Sequence, residues 1–136
     1  MKIYAFTDIH GMGNHFDVMM NYIETQSNGD YKIFFLGDAC DRGPDGYRIM
    51  KALLANPQVV YIKGNHEDMF VHAARAIRNI LIEQDRDVLE WCNERGIQDL
   101  IYSAYYNDDV ALHLNNGGFY TLYEWLADGA SMTIVN

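Results

Sequence analysis

Cysteine and proline are scarce in this chain, at 2 residues each in 136, and cations are outnumbered, with 10 Lys and Arg against 19 Asp and Glu. Each shortage excludes something. Cys40 and Cys92 form no CxxC pair and no disulfide framework, so neither a thiolate metal site nor a stapled mini-protein is expected. There is no Pro- or Ser-rich linker, no low-complexity tract and no internal repeat, which predicts a single structural unit over residues 1–136. With a net charge of −9 and no Lys/Arg cluster, nucleic acid is not an expected partner. No apolar run nears the roughly 18 residues a membrane span needs, and no membrane partner is expected. Asp8 and His10 interrupt the N-terminal apolar run too early for a signal peptide, so the simplest location is cytoplasmic. What is abundant is apolar: 49% of the residues are hydrophobic, enough to bury a core. The acidity reads first as surface solubility and second as carboxylates awaiting cations.

Hydrophobic patterning divides the chain into a motif-bearing βαβαβ stretch, 1–82, and a mostly helical segment, 83–130. Lys2 to Thr7, Tyr31 to Leu36 and Val59 to Lys63 are β-rich runs. Between the first two, Phe16, Met19, Met20 and Ile23 recur at helical spacing, and Asn14 with Asp17 resembles a capping box. Pro44 suits the first turn of a second helix whose face is Tyr47, Met50 and Leu54, with Ile49 and Leu53 beside it. A third helix runs through Met69, Ala73, Ile77 and Leu81. This β-α-β-α-β-α order predicts an α/β fold with a parallel sheet and right-handed crossovers. Further on, Val88 to Arg95, Asp99 to Tyr106 and Thr121 to Ala127 read as helical pieces, Asn115 to Gly118 as a turn, and Ser131 to Asn136 as the start of a strand.

Three polar clusters sit at the C-terminal ends of the three predicted strands: Asp8-Ile9-His10-Gly11, Gly37-Asp38-Ala39-Cys40-Asp41-Arg42-Gly43, and Gly64-Asn65-His66-Glu67. Open parallel sheets bind ligands in the crevice beyond those ends. Asp8 and His10 lie two residues apart where a strand stops, so both side chains can turn to one ion. Asp38 can bridge two ions through its two oxygens, and Asn65 offers an amide oxygen. Oxygen and nitrogen donors without thiolate favour Mn²⁺, Fe or Zn²⁺. Two such ions about 3.5–4 Å apart can hold a phosphate and activate water near neutral pH.

These residues resemble the metallophosphoesterase (calcineurin-like) superfamily, with its D-x-H, G-D-x-x-D-R-G and G-N-H-E/D signatures. The form of the second and third motifs is most similar to the phosphoprotein phosphatase branch, especially the bacterial and phage-lambda-type serine/threonine phosphatases. Asn116-Gly117-Gly118 is similar to a later element of many bacterial members. The resemblance implies the front half of a two-sheet sandwich flanked by helices, with the second sheet largely missing. It implies a dinuclear cofactor, manganese first and iron or zinc as alternatives. Asp8, His10 and Asp38 would hold one ion, and Asp38 and Asn65 the other. His66 would protonate the leaving group, Asp41 would orient His66, and Arg42 with Asn65 would bind the substrate phosphate. Water activated by the ions would attack phosphorus directly, without a phosphoenzyme.

The family's later histidine ligands and its G-H motif are absent, so the second site is incomplete and the 136-residue chain is expected to be weakly active or inactive. The uncovered sheet calls for a missing C-terminal half or self-association. His72 and His113 read as surface or partly buried structural side chains, with replacement ligation the lesser alternative. His15 reads as a solvated residue at a helix start, with a substrate contact as its alternative. Glu67 reads as a helix-start acid favoured by the dipole, Cys40 as a small buried side chain rather than a redox switch, and Tyr102, Tyr105 and Tyr106 as packing. Asp41 and Arg42 have a structural ion pair as their alternative. The leading function is therefore phosphomonoester hydrolysis, on phosphoproteins or phosphorylated small molecules. Hydrolysis of a dinucleoside polyphosphate is the runner-up, and a non-catalytic metal-binding module the third reading.

Overall fold

The computed structural model describes residues 1–135. Three strands, β1 (Lys2–Phe6), β2 (Tyr31–Phe35) and β3 (Val59–Tyr61), form a parallel sheet in the order β1-β2-β3. Lys2 is in register with Tyr31, and Ile33 with Val59. The helices α1 (Gly13–Ser27) and α2 (Gly46–Ala55) connect the strands, and α3 (Asn65–Glu83) leaves the third. Alternation decides which side of the sheet is covered. Tyr31, Ile33 and Phe35 of β2 are buried, with Phe35 in an edge-to-face contact with Tyr61 at 5.0 Å. Their neighbours point to the opposite side, where Ile3 is 64% exposed and Val60 37%. Leu36 and Ile62 extend that apolar strip beyond the strand ends. The architecture is thus α/β, a small parallel sheet with seven helices, and one face of that sheet lies open among the described residues.

Helix α1 begins two residues earlier than the Asn14 cap predicted. Met12 is the N-cap, without a side-chain hydrogen bond, and Asp17 instead pairs with Arg48 at 3.1 Å. Pro44 precedes α2 rather than opening it, because Asp45 occupies the N-cap. The buried stripe of α2 is Tyr47, Ile49, Met50 and Leu53, while Leu54 is 56% exposed, so the helix is rotated from the predicted face. In α3 the spacing holds: Ala73, Ile77 and Leu81 are buried and Met69 is half-buried.

Four short helices follow: α4 (Val88–Arg95), α5 (Ile97–Ser103), α6 (Asp108–Asn115) and α7 (Phe119–Ala127). Caps explain two of the starts. Asp87 accepts from the amides of Leu89 and Glu90, and Asn107 from those of Asp109 and Val110. Helix α6 has no counterpart in the hydrophobic pattern, because its Asn-Asp-Asp start looks like a polar loop. It packs along α3, and α7 packs on α2 and α5. Phe70 and Trp125 meet edge to face at 5.9 Å inside this cluster. The strand predicted from Ser131 is a turn through Met132–Val135, and Asn136 lies outside the described residues. Tyr102, Tyr105 and Tyr106 are 44–73% exposed and do not fill the core as expected. The first of them stacks on Phe119, and Tyr105 bonds Asn115 at 2.8 Å. No helix among the described residues is long and apolar enough to cross a membrane.

Candidate active site

The three motif loops converge at one end of the sheet. Backbone bonds tie the first two together: Asp8 N–H donates to the Gly37 carbonyl, His10 to Asp38 and Gly11 to Ala39, at 2.8–3.0 Å. Five motif residues, Asp8, His10, Asp38, Asp41 and Arg42, adopt left-handed φ of 46–73°. Such conformations cost energy in residues with a Cβ and persist where surrounding contacts over-determine them.

Asp8, His10 and Asp38 bring one ligand atom each to within 4.8 Å of one another. His10 Nε2 is 3.4 Å from Asp8 Oδ1, while its Nδ1 is 3.0 Å from the Cys40 carbonyl. That second contact can only be a donation to the carbonyl, so Nδ1 carries a proton and Nε2, on the Asp8 side, is the atom left to ligate a cation. This is the orientation a metal-ligating imidazole needs. Thr7 Oγ1 donates to Asp8 Oδ2 at 2.7 Å, which holds the Asp8 carboxyl below its ordinary value. The cluster therefore fits a divalent cation, by its oxygen and nitrogen donors and by the preset tautomer of its histidine. Asn65 is exposed at the first position of α3, joined to the cluster through its neighbour His66, whose amide donates to Asp38 Oδ1 at 3.0 Å.

Glu67 has a larger part than its reading as a helix-start acid. Its carboxylate is buried and accepts from the amides of Asp38 (2.6 Å), Ala39 (2.7 Å) and Gly64 (2.7 Å). One side chain thereby fastens the second loop to the third. Gly64 makes that junction possible, since a Cβ there would collide with Asp38 Oδ1 and lie 2.8 Å from the Asp38 amide nitrogen.

His66 is buried, at 5% exposure, with its ring 4.7 Å from that of His10 in an edge-to-face contact. Its Nδ1 is 2.9 Å from Asp41 Oδ2. The other Asp41 oxygen is 2.7 Å from His113 Nε2 and accepts from Thr121 Oγ1 at 2.8 Å. Burial pushes the Asp41 carboxyl up, but donation from His113, His66 and Thr121 outweighs it, and the group lies below its ordinary value. Among the described residues no ion pair joins Asp41 to Arg42, so the structural-pair alternative is not realised. Arg42 is exposed, and its amide donates to the Gly117 carbonyl at 2.8 Å, which is how Asn116-Gly117-Gly118 reaches the site.

His113 departs from expectation. It is fully buried on α6, neither surface-exposed nor in the metal cluster. His72 is the exposed residue anticipated, 3.6 Å from Asp68. His15 lies at the rim of a pocket beside Asp8 lined by Phe6, Met12, Phe16 and Met19. Cys40 is fully buried, and burial followed by the nearby Asp41 and Glu67 charges pushes its thiol well up, keeping it protonated. Sequence reasoning missed His113, Thr121 and the triple amide contact of Glu67. The available signal was a polar residue within the apolar Ala111 to Leu114 run, immediately before Asn116-Gly117-Gly118.

Comparison with known proteins agrees with this geometry. Residues 1–135 match the family model of calcineurin-like phosphoesterases. The chain is also 26% identical over 108 residues to a symmetrical bis(5'-nucleosyl)-tetraphosphatase of Delftia acidovorans. That alignment covers 71% of this chain and 38% of the relative, so the chain spans well under half the length of the protein it matches. With its three motif loops gathered around one cation cluster and the match running through residue 135, this chain belongs to the calcineurin-like phosphoesterase family.

Proposed function

We propose that the chain carries the metal- and phosphate-handling part of a metal-dependent phosphohydrolase. The observation that supports this best is the Asp8–His10–Asp38 cluster lying against His66, whose Nδ1 is engaged by Asp41. In this reading Asp8, His10 and Asp38 hold one ion, and Asp38 with Asn65 contributes to a second. Bound divalent ions, manganese first, would supply Lewis-acid stabilisation of phosphoryl oxygens and acidify water near neutral pH. His66 keeps its Nδ1 proton on Asp41, and a second proton, carried on Nε2 in the imidazolium form, would pass to the leaving-group oxygen. Arg42, exposed in the loop that carries Asp38, would offer its planar guanidinium to the phosphate together with Asn65.

For the substrate, the relative named for a bis(5'-nucleosyl)-tetraphosphate favours a dinucleoside polyphosphate. The pocket beside Asp8, walled by Phe6, Met12, Phe16 and Met19, has the apolar lining a base can pack against. The second reading, a serine/threonine protein phosphatase, is supported by the G-D-x-x-D-R-G form at Gly37 to Gly43 and by Asn116-Gly117-Gly118. Glu67 does not separate the two, since three backbone amides occupy its carboxylate.

The test is Mn²⁺ binding by electron paramagnetic resonance, followed by competition between a diadenosine polyphosphate and a phosphoserine peptide. Binding is expected and should be lost in Asp8→Asn and Asp38→Asn. Turnover is expected to be slow, abolished by chelation, and faster on the dinucleotide. Failure to bind Mn²⁺, or hydrolysis indifferent to Asp38→Asn, would overturn the reading.

A further inference from the structure

Asp41 is a carboxylate held from three sides. It is fully buried, and all three side-chain donors around it come from other elements: His66 on α3, His113 on α6 and Thr121 on α7. Thr121 closes a small ring, since its hydroxyl donates to Oδ1 and accepts from the Asp41 amide at 3.1 Å.

The tautomer of His113 follows from what its two nitrogens meet. Nε2 faces a carboxylate oxygen at 2.7 Å, whereas Nδ1 is buried with no hydrogen-bond partner among the described residues. A proton on Nδ1 alone would aim the Nε2 lone pair at an anion and leave a buried donor unmet. Nε2 therefore carries a proton, and His113 lends Asp41 Oδ1 a hydrogen bond while Oδ2 remains for His66. The His113 ring is fully buried, with the Phe70 ring 5.9 Å away and Gly118 so close that a Cβ there would come within 2.5 Å of it.

We propose that His113 is a positioning residue for His66. Together with Thr121 it fixes Asp41 Oδ1, so that Oδ2 stays on His66 Nδ1 and the His66 ring is held against His10 with Nε2 free. The value of this arrangement to catalysis rests on the reading of His66 as proton donor, but the hydrogen-bond relay itself does not. It also gives the helical segment a role at the site: α6 and α7 bring His113, Gly117 and Thr121 onto the Asp41–Arg42 corner.

Nuclear magnetic resonance of the 136-residue chain with ¹⁵N-labelled histidine tests this without relying on turnover. Its five histidines are few enough to assign. His113 is expected with a proton on Nε2 and His66 with one on Nδ1, each a slowly exchanging, downfield ring proton. In His113→Leu the His66 ring proton should broaden or vanish, and His113→Gln, which retains an N–H donor, should restore it. Thr121→Val, a nearly isosteric change, should shift the His66 ring nitrogens in the same direction and serves if His113→Leu does not fold. An Nδ1–H tautomer for His113, or His66 signals unmoved in a folded variant, overturns the proposal. An activity arm separates the two readings. Relative to dinitrophenyl phosphate, hydrolysis of phenyl phosphate should fall roughly 10-fold in kcat for His113→Leu with KM unchanged, and further for His66→Asn. Equal losses on both substrates in His66→Asn would refute proton donation by His66 and leave the relay standing on the resonance result.

Discussion

Replacing Glu67 by Gln removes one charge and adds two donors at the point where two motif loops are joined. The native carboxylate receives three amide protons, those of Asp38, Ala39 and Gly64, at 2.6–2.7 Å. An amide side chain retains one acceptor oxygen and turns an NH₂ group towards at least one of these donors. That contact is donor against donor, and a buried N–H left unmet costs about 1–3 kcal/mol. The surviving contacts lose their charge assistance, and hydrogen bonds to charged groups are each worth about 1.5–3 kcal/mol against about 1 for neutral ones. Together these place the destabilisation at roughly 2–5 kcal/mol, a large share of the 5–15 kcal/mol typical of a domain. For a chain of this size that lowers the melting temperature by about 7–17 °C. Urea unfolding at pH 7 measures the first quantity and calorimetry the second. Because Glu67 binds the amide of Asp38 itself, Mn²⁺ affinity should fall in the fraction that remains folded. A stability change below about 1 kcal/mol with unaltered Mn²⁺ affinity would mean that Glu67 does not fasten the loops, and the reasoning would fail.

Two further outcomes follow from the same corner of the molecule. Gly64→Ala places a methyl group against Asp38 Oδ1 without requiring an unusual backbone angle, since φ is −91° there. It should weaken Mn²⁺ binding about 10-fold or more, as loss of ligand orientation does elsewhere, and a calorimetric titration with unchanged affinity would refute the steric argument. Asp41, whose folded-state value is depressed, contributes stability that is complete above its ordinary value of 3.8 and is lost as pH falls through the lower folded value. The stability gap between the native chain and Asp41→Asn should therefore be flat from pH 7 to about pH 4 and shrink below it. Urea midpoints across that range would show it, and a gap that widened on acidification would contradict the sign.

How much of this could be read without coordinates depends on whether the relevant physics is local. The strands at Lys2, Tyr31 and Val59 and the helix through Ala73 and Leu81 follow from periodicity, since period and burial are set within a few residues. The convergence of Asp8, His10 and Asp38 was legible for a similar reason: parallel strands in register put their C-terminal ends side by side, whatever fills the rest of the domain. Helix boundaries were less legible at Asn14 and Pro44, where the helices start instead from Met12 and Asp45 without a side-chain cap.

The amino-acid order alone therefore determined the sheet, its first three helices, and which side chains gather beyond the strand ends. Only the tertiary structure decided the roles of Glu67, His113 and Thr121. Each acts on an atom more than 25 positions away in the chain, and no spacing rule reaches that far. A buried histidine in an apolar run has the same appearance in the sequence whether it meets a carbonyl, a metal or a carboxylate. The packing of α6 on α3 is what set His113 against Asp41.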